Sequence, residues 1–342
     1  MHNIVINKIQ KLVTQLDLCL KGKTVLTEAA TGLYAVTPWV AALAGATVYA
    51  YGKSSQHGSW DVIKFEHLKW QNLFPKLKVC LINDLCPNVI SKADIITNSG
   101  HLRPLDRYKL QYAKEQLIIP LMFEDWELRE EDIDLAYCKE KRISIVGTNE
   151  RYEYVNVFDY LGEMVLHHMH KADICVTGNK FILYCNNHFG PYIADFLSNV
   201  CDKLGVISIN EMKELYPKKI EWLGNFPHFE IPEMFKSSDC VIISTSPFSK
   251  KWIGKNSHVE AKNLLQQLDN PYLLRFIGDI DEAELKYSNI PYFPNSLKTG
   301  HMGSIPSDIG SDSIVKLQVG SLKASELALR GDFSHPLVQK IL

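Results

Sequence analysis

Three stretches of this 342-residue chain bring together residue types that bind anions or move protons. In Thr97-Asn98-Ser99-Gly100-His101-Leu102-Arg103-Pro104, a serine and a glycine ahead of a helix would offer a hydroxyl and free backbone N–H groups. His101 and Arg103 add hydrogen-bonding and cationic reach, a combination suited to a carboxylate or phosphate. The same residues also suit a capped helix start on the surface. In Gly300-His301-Met302-Gly303, two glycines permit close approach of backbone to ligand, and a histidine there would act as acid or base near neutral pH. Asp308, in Pro306-Ser307-Asp308, would orient that imidazole; the competing reading is a turn with an idle, exposed histidine. Glu28 and Thr31 follow a first apolar run, and Glu124 and Trp126 follow a later one. With Ser99, Gly100, His101 and Arg103 they would surround one cleft as substrate contacts, or else form a solvated rim. His167, His168 and His170 fall on a predicted helix and are expected to face solvent or neighbouring chain, so no metal site is expected.

The elements that must hold these loops follow from alternation of short apolar runs with helical segments, the pattern of parallel sheets covered by helices. Strands are predicted at 24–28, 47–51, 79–82, 94–98, 117–122 and 143–146. After a predicted helix over 155–170 come strands at 181–184, 206–209, 241–244 and 272–276, and a last one at 314–319. The fold class is therefore α/β, with two doubly wound parallel-sheet (Rossmann-like) domains and a cleft between them. The expected divisions are 1–152, 153–312, and a segment 313–342 returning to the first domain. In such sheets ligands lie at the carboxyl ends of strands, where the loops above fall.

Composition narrows the function classes. With 46% hydrophobic and 22% charged residues the chain can build real cores, which excludes a long disordered protein. A formal charge of -2 and the lack of a basic run leave no footprint for nucleic acid or anionic lipid. A small-molecule substrate is the expected partner. The uncharged stretch 29–52 is long enough to raise a membrane question, but Pro38, Gly45 and the β-rich Thr47–Tyr51 favour a helix, a turn and a buried strand. The amphipathic N-terminus gives no export signal, so a cytoplasmic protein is expected. The eight cysteines lack metal-ligand spacing and are expected to be reduced and mostly buried.

The run from Ala93 to Glu150, with Asp132-Ile133-Asp134-Leu135, Ile143-Ser144-Ile145-Val146 and Thr148-Asn149 in that order, resembles the second half of the substrate domain of NAD-dependent D-2-hydroxyacid dehydrogenases. The helix with Val155, Leu161 and Val165 resembles that family's interdomain helix. The resemblance implies that the second domain binds NAD or NADP and that the protein is a homodimer. It places the cofactor over Asn186, Asn187, His188, Phe189 and Gly190, with Asn210 or Glu211 toward the ribose and Thr245 and Asp279 in later loops. Of the family's Gly-x-Gly-x-x-Gly only Gly190 is present, and the loss of the other two weakens a pyrophosphate turn. Arg275 stands one position from the family's anion-holding arginine, and His301 near its proton-handling histidine. The stretch from Leu285 to Glu326 contains no glutamate for the family's catalytic acid, a place Asp308 would have to fill. The expected function is an oxidoreductase on a small 2-hydroxy or 2-oxo acid, with Ser99 and Gly100 facing Arg275 and His301. Two alternatives keep the fold: a biosynthetic enzyme of another reaction type, and a non-catalytic nucleotide- or metabolite-binding protein.

Overall fold

The computed structural model describes residues 2–56, 58–228 and 230–342. These form two compact units, one comprising residues up to Val157 together with Gly310–Leu342, the other Phe158–Ile309.

Unit 1 begins with an amphipathic helix, His2–Gln15, whose Val5, Ile9 and Leu12 are buried. Six parallel strands follow: β1 (Thr24–Glu28), β2 (Thr47–Tyr51), β3 (Val79–Ile82), β4 (Ile95–Ile96), β5 (Ile118–Pro120) and β6 (Ser144–Thr148). They lie in the order β3-β2-β1-β4-β5-β6, with Val25 opposite Val48 on one side of β1 and Ile95 on the other. Chain order therefore reverses between β1 and β4, which makes that gap the sheet's switch point. The uncharged stretch 29–52 becomes the turn Gly32–Val36, the helix Thr37–Leu43 and β2. Pro38 occupies the helix's first turn, where its missing N–H costs nothing, and Gly45 takes the left-handed turn at φ +93°. No described helix is long and apolar enough to cross a membrane.

Unit 2 opens with a short 3-10 turn and the helix Leu161–Lys171, shorter than the 155–170 span expected. Val155 and Val157 belong to a core cluster of unit 1, whereas Phe158, Leu161 and Val165 belong to one in unit 2. The strands are β7 (Lys180–Cys185), β8 (Lys203–Ser208), β9 (Glu221–Asn225), β10 (Cys240–Ser244), β11 (Lys251–Ile253), β12 (Leu273–Ile277), β13 (Asp279–Ile280) and β14 (Tyr292–Phe293). Six of them form a parallel sheet ordered β9-β8-β7-β10-β12-β14, and β11 pairs with β13 apart from it. Read from β7, this is again strand order 3-2-1-4-5-6, the Rossmann arrangement, with its switch point between β7 and β10.

The chain then returns to unit 1 as the helix Asp312–Leu329 and the strand β15 (Val338–Lys340), which pairs antiparallel with β6 and extends the first sheet to seven strands. The strand expected at 314–319 is thus part of a helix. Its β-branched Ile314, Val315 and Val319 read as a strand in isolation, but the helix is buried nearly all round, which erases the one-sided apolar stripe. Gly320 belongs to this packing: a Cβ there would lie 2.6 Å from Val155 Cγ2. One expectation about burial also fails. Only Cys138, Cys185 and Cys240 of the free cysteines are buried, because Cys19, Cys80 and Cys175 lie at exposed positions. His168 is fully buried against Phe276 and Phe293, so of the two expected surroundings it faces neighbouring chain.

Candidate active site

At the unit 1 switch point, Glu28 ends β1 and the loop 97–103 follows β4. Gly100 is glycine for a local reason: a Cβ would lie 1.9 Å from Glu28 Oε1. The missing side chain lets the carboxylate sit on the loop, where its Oε1 accepts the His101 backbone N–H at 3.1 Å. The same oxygen is 3.8 Å from His101 Nδ1. The Lys53 backbone N–H donates to Nδ1 at 3.2 Å. With Nδ1 accepting, the neutral imidazole carries its proton on Nε2, so His101 presents a hydrogen-bond donor. Behind it, Thr97 Oγ1 donates to Thr27 Oγ1 and shares a hydrogen bond with Ser99 Oγ, both at 2.8 Å, which orients the Ser99 hydroxyl. Thr31 is partly buried at the start of the 3-10 turn.

Arg103 is braced from several sides. Its Nε donates to Asn98 Oδ1 at 2.9 Å and its Nη2 to the Asn98 carbonyl at 2.8 Å. Asp132 Oδ2 lies 3.4 Å from Nε, and the guanidinium sits over the Phe123 ring at 5.5 Å. Asn98 itself is 0% exposed, and its Nδ2 has no hydrogen-bond partner among the described residues. A buried amide donor left unpaired costs ~1–3 kcal/mol, so this N–H is poised for an acceptor beside a fixed cation.

Next along the strand ends come three glutamates. Glu124 is 1% exposed, accepts Trp126 Nε1 at 2.6 Å and the Glu150 backbone N–H at 3.2 Å, and lies 3.5 Å from Arg151 Nε. Glu124 is thus committed to its neighbours, and Trp126 is half-exposed beside it. Burial, with the neighbouring Glu124 charge, raises the Glu127 carboxyl to about 7. Burial also raises Glu150 well above the usual carboxylate range, reinforced by Glu127 and Glu124. Arg103 feels both Glu28 and Glu127, so the two groups of residues belong to one electrostatic neighbourhood. The native state holds protons on Glu127 and Glu150 that the unfolded chain releases near its ordinary value. The stability these two groups contribute should therefore be fully present at acidic pH and be lost as pH rises above about 4.5, for Glu127 through about 7. A Glu127→Gln protein should lose part of that slope, Glu150 keeping the rest, and be more stable at pH 8 by ~1–3 kcal/mol, as read from urea unfolding at several pH values. A parent-like slope in the variant would refute the assignment.

In unit 2, Arg275 is 2% exposed. Its Nη2 bonds Asp279, its Nε donates to the Gly278 carbonyl at 3.1 Å, and its Nη1 is 3.5 Å from Glu282. That guanidinium is spent on its own fold and cannot hold a substrate anion, contrary to the role expected for it. Asp279 also accepts the Gly300 backbone N–H at 3.3 Å, so this cluster fixes the glycine loop. His301 is exposed in that loop, with Nδ1 3.2 Å from the Thr299 carbonyl. Asp308 accepts from Ser304 Oγ and Ile305 N–H, both at 3.1 Å, and lies 3.6 Å from Lys171. No contact joins it to His301 among the described residues. His168 explains Gly303, where a Cβ would lie 2.4 Å from His168 Nε2. That Nε2 is 3.1 Å from the Arg275 carbonyl, and burial lowers the ring to about 4, so it stays neutral.

Of the residues expected to hold a dinucleotide, Asn186 and Asn187 are at the unit 2 switch point with their side-chain amides engaged by Ser244 and Ser246. Asn186 Nδ2 donates to the Ser246 carbonyl at 2.8 Å while its Oδ1 accepts the Ser246 N–H at 2.7 Å. Asn187 Nδ2 donates to the Ser244 carbonyl at 3.2 Å and to Ser246 Oγ at 3.1 Å. Its Oδ1 accepts the Phe189 N–H at 3.0 Å, at the start of the helix Phe189–Leu197. Gly190 faces protein: a Cβ would lie 2.0 Å from Tyr216 OH and 2.8 Å from Cys185 Sγ. His188 is exposed, and so are Asn210, whose N–H donates to Asn225 Oδ1 at 3.0 Å, and Glu211. Thr245 is buried, and its Oγ1 lies 2.0 Å from where a Gly278 Cβ would stand. As arranged, these residues do not form a pyrophosphate cradle.

Sequence reasoning does not single out Asn98, Glu127, Glu150 or Lys53. Asn98 is the second polar residue after an apolar strand and five before an arginine, a signal legible in hindsight. Glu150 lies two residues past a strand end, but nothing local distinguishes a buried acid from a solvated one.

Comparison with protein-family models finds no match, nor does comparison with curated protein sequences. Solved structures share the fold. The chain is similar to a dipicolinate synthase chain from Bacillus subtilis, with 11% identity over 92% of this chain and 99% of that one and a TM-score of 0.60. It is similar to a dipicolinate synthase chain from Bacillus halodurans, with 11% identity over 91% and 98% and a TM-score of 0.54. A D-2-hydroxyacid dehydrogenase is also among the similar structures: D-lactate dehydrogenase with NAD+ from Lactobacillus jensenii, at 15% identity over 92% and 99%, TM-score 0.48.

Proposed function

We propose that this protein is an enzyme that binds a small carboxylic acid of the 2-hydroxy or 2-oxo class at the switch point of unit 1. The observation that carries this reading is the buried, unpartnered Asn98 Nδ2 beside the braced Arg103 guanidinium. Together they offer a carboxylate one neutral and one charge-assisted donor. His101 Nε2–H then serves the 2-oxygen, polarising a carbonyl or steadying a developing oxyanion, while Ser99 Oγ, whose proton goes to Thr97, accepts from a 2-hydroxyl. Glu127, raised to about 7, supplies the proton-exchanging carboxyl near neutral pH.

A second reading is a nicotinamide-dependent oxidoreductase of the hydroxyacid dehydrogenase kind, working as a homodimer. It is favoured by the 3-2-1-4-5-6 strand order of unit 2 and by exposed Asn210 and Glu211 just beyond β8. His301 would keep the proton-handling place in it.

Calorimetric titration with a panel of 2-hydroxy and 2-oxo acids tests the first reading. The parent should bind at least one of them, and Arg103→Gln should weaken that acid ~10–100-fold, as expected for loss of a charge-assisted hydrogen bond. Equal affinity in parent and variant, or no heat from any acid at ~10 mM, would defeat it.

A further inference from the structure

In a Gly-x-Gly-x-x-Gly turn that ends at Gly190, the first two glycine positions fall on Cys185 and Asn187. Those glycines normally permit the tight turn and let the backbone come up to a pyrophosphate, which rests on the N-terminal amides of the following helix. In unit 2 each of these provisions has an internal occupant. Asn187 Oδ1 takes the Phe189 amide at 3.0 Å, at the start of the helix, where a phosphate oxygen would otherwise accept. Asn187 Nδ2 and the Asn186 amide reach across the switch point to Ser244 and Ser246 with four hydrogen bonds between 2.7 and 3.2 Å. Cys185 Sγ, fully buried, turns back to the Asn187 carbonyl at 3.4 Å. The space under Gly190, kept free of a Cβ, is filled by Tyr216 OH, itself tied to Ser208 Oγ at 2.9 Å.

We infer that unit 2 is a Rossmann domain that takes no nicotinamide dinucleotide, its crevice being latched by Asn186 and Asn187 against the loop after β10. The strand order is kept because it builds the core, and the glycine positions carry side chains that join β7 to β10. On this inference the nicotinamide-dependent second reading falls, and the protein's chemistry proceeds without hydride exchange with NAD(P)H. This stands apart from the acid site of unit 1, which uses none of these residues.

NADH and NADPH are titrated into the intact protein, following energy transfer from tryptophan, with NAD+ and NADP+ followed by calorimetry. No saturation is expected up to ~1 mM, the upper end of usual enzyme working ranges. Cys185→Gly combined with Asn187→Gly, and Asn187→Gly alone in case the double variant does not fold, are titrated beside it after thermal unfolding confirms a folded state. Removing the latch should make NADH bind at least ~10-fold more tightly than to the parent. Saturation of the parent below ~100 µM overturns the inference, and so does a folded glycine variant with the parent's affinity.

Discussion

A His101→Ala protein is expected to bind a 2-oxo acid within a few-fold of the parent and to turn it over ~10²–10³ times more slowly, the usual cost of removing one preorganised donor to a developing oxyanion. The ring's attachments set this expectation. Nδ1 is occupied by the Lys53 amide and faces Glu28, so the working atom is Nε2 with its proton. Binding should survive because the proposed mode seats the carboxylate on Asn98 and Arg103, which are held by each other. His101→Gln, which restores a side-chain N–H, should recover part of the loss. Steady-state kinetics on the acid identified by titration give the answer; an alanine variant with parental kcat would remove His101 from the chemistry.

Replacing Arg275 by methionine should destabilise unit 2 by ~3–5 kcal/mol, the cost of breaking a buried ion pair from one side. Asp279, 5% exposed, would keep the Gly300 N–H as a partner but lose its cation. Adding Asp279→Asn should return part of the stability, because the stranded charge is then gone. Urea unfolding monitored by fluorescence measures both variants. A loss under ~1 kcal/mol, or a variant of normal stability with weakened ligand binding, would restore Arg275 to the anion-holding role that its position in the sequence suggested.

That arginine illustrates where sequence reading ends. Its charge and its place beside a Gly-Asp turn are visible in the chain, but an arginine that holds a substrate and one that holds Asp279 look alike until burial is known. Strands are legible where apolar runs stand alone between breakers, as at Thr24–Glu28, Thr47–Tyr51 and Val79–Ile82. Glu221–Asn225 carries too mixed a pattern, and Tyr292–Phe293 is too short, for local sequence to reveal a strand that only its neighbour in the sheet defines. The start of the helix Asp312–Leu329 reads as a strand because full burial leaves no polar face to count. In the candidate site, Ser99, Gly100, His101 and Arg103 can be found from their loop, and Glu28 from its strand end. The meeting of Glu28 with Gly100 and His101 depends on β1 and β4 being neighbours, a fact of strand order that no local spacing encodes.

The return of Gly310–Leu342 to the first sheet makes Phe158–Ile309 an insertion within another folding unit. On a ribosome making ~5–20 residues per second, unit 2 has its whole sequence available before unit 1 does. During that interval the outer edge of β6 has no β15 to pair with, and the places of Ile314, Val319 and Leu322 in the unit 1 core are unfilled. A nascent chain therefore spends on the order of ten seconds with a bare parallel edge and an incomplete core. Assistance in the cell, by chaperone or by slow translation, would act on the half that is synthesised first and finished last.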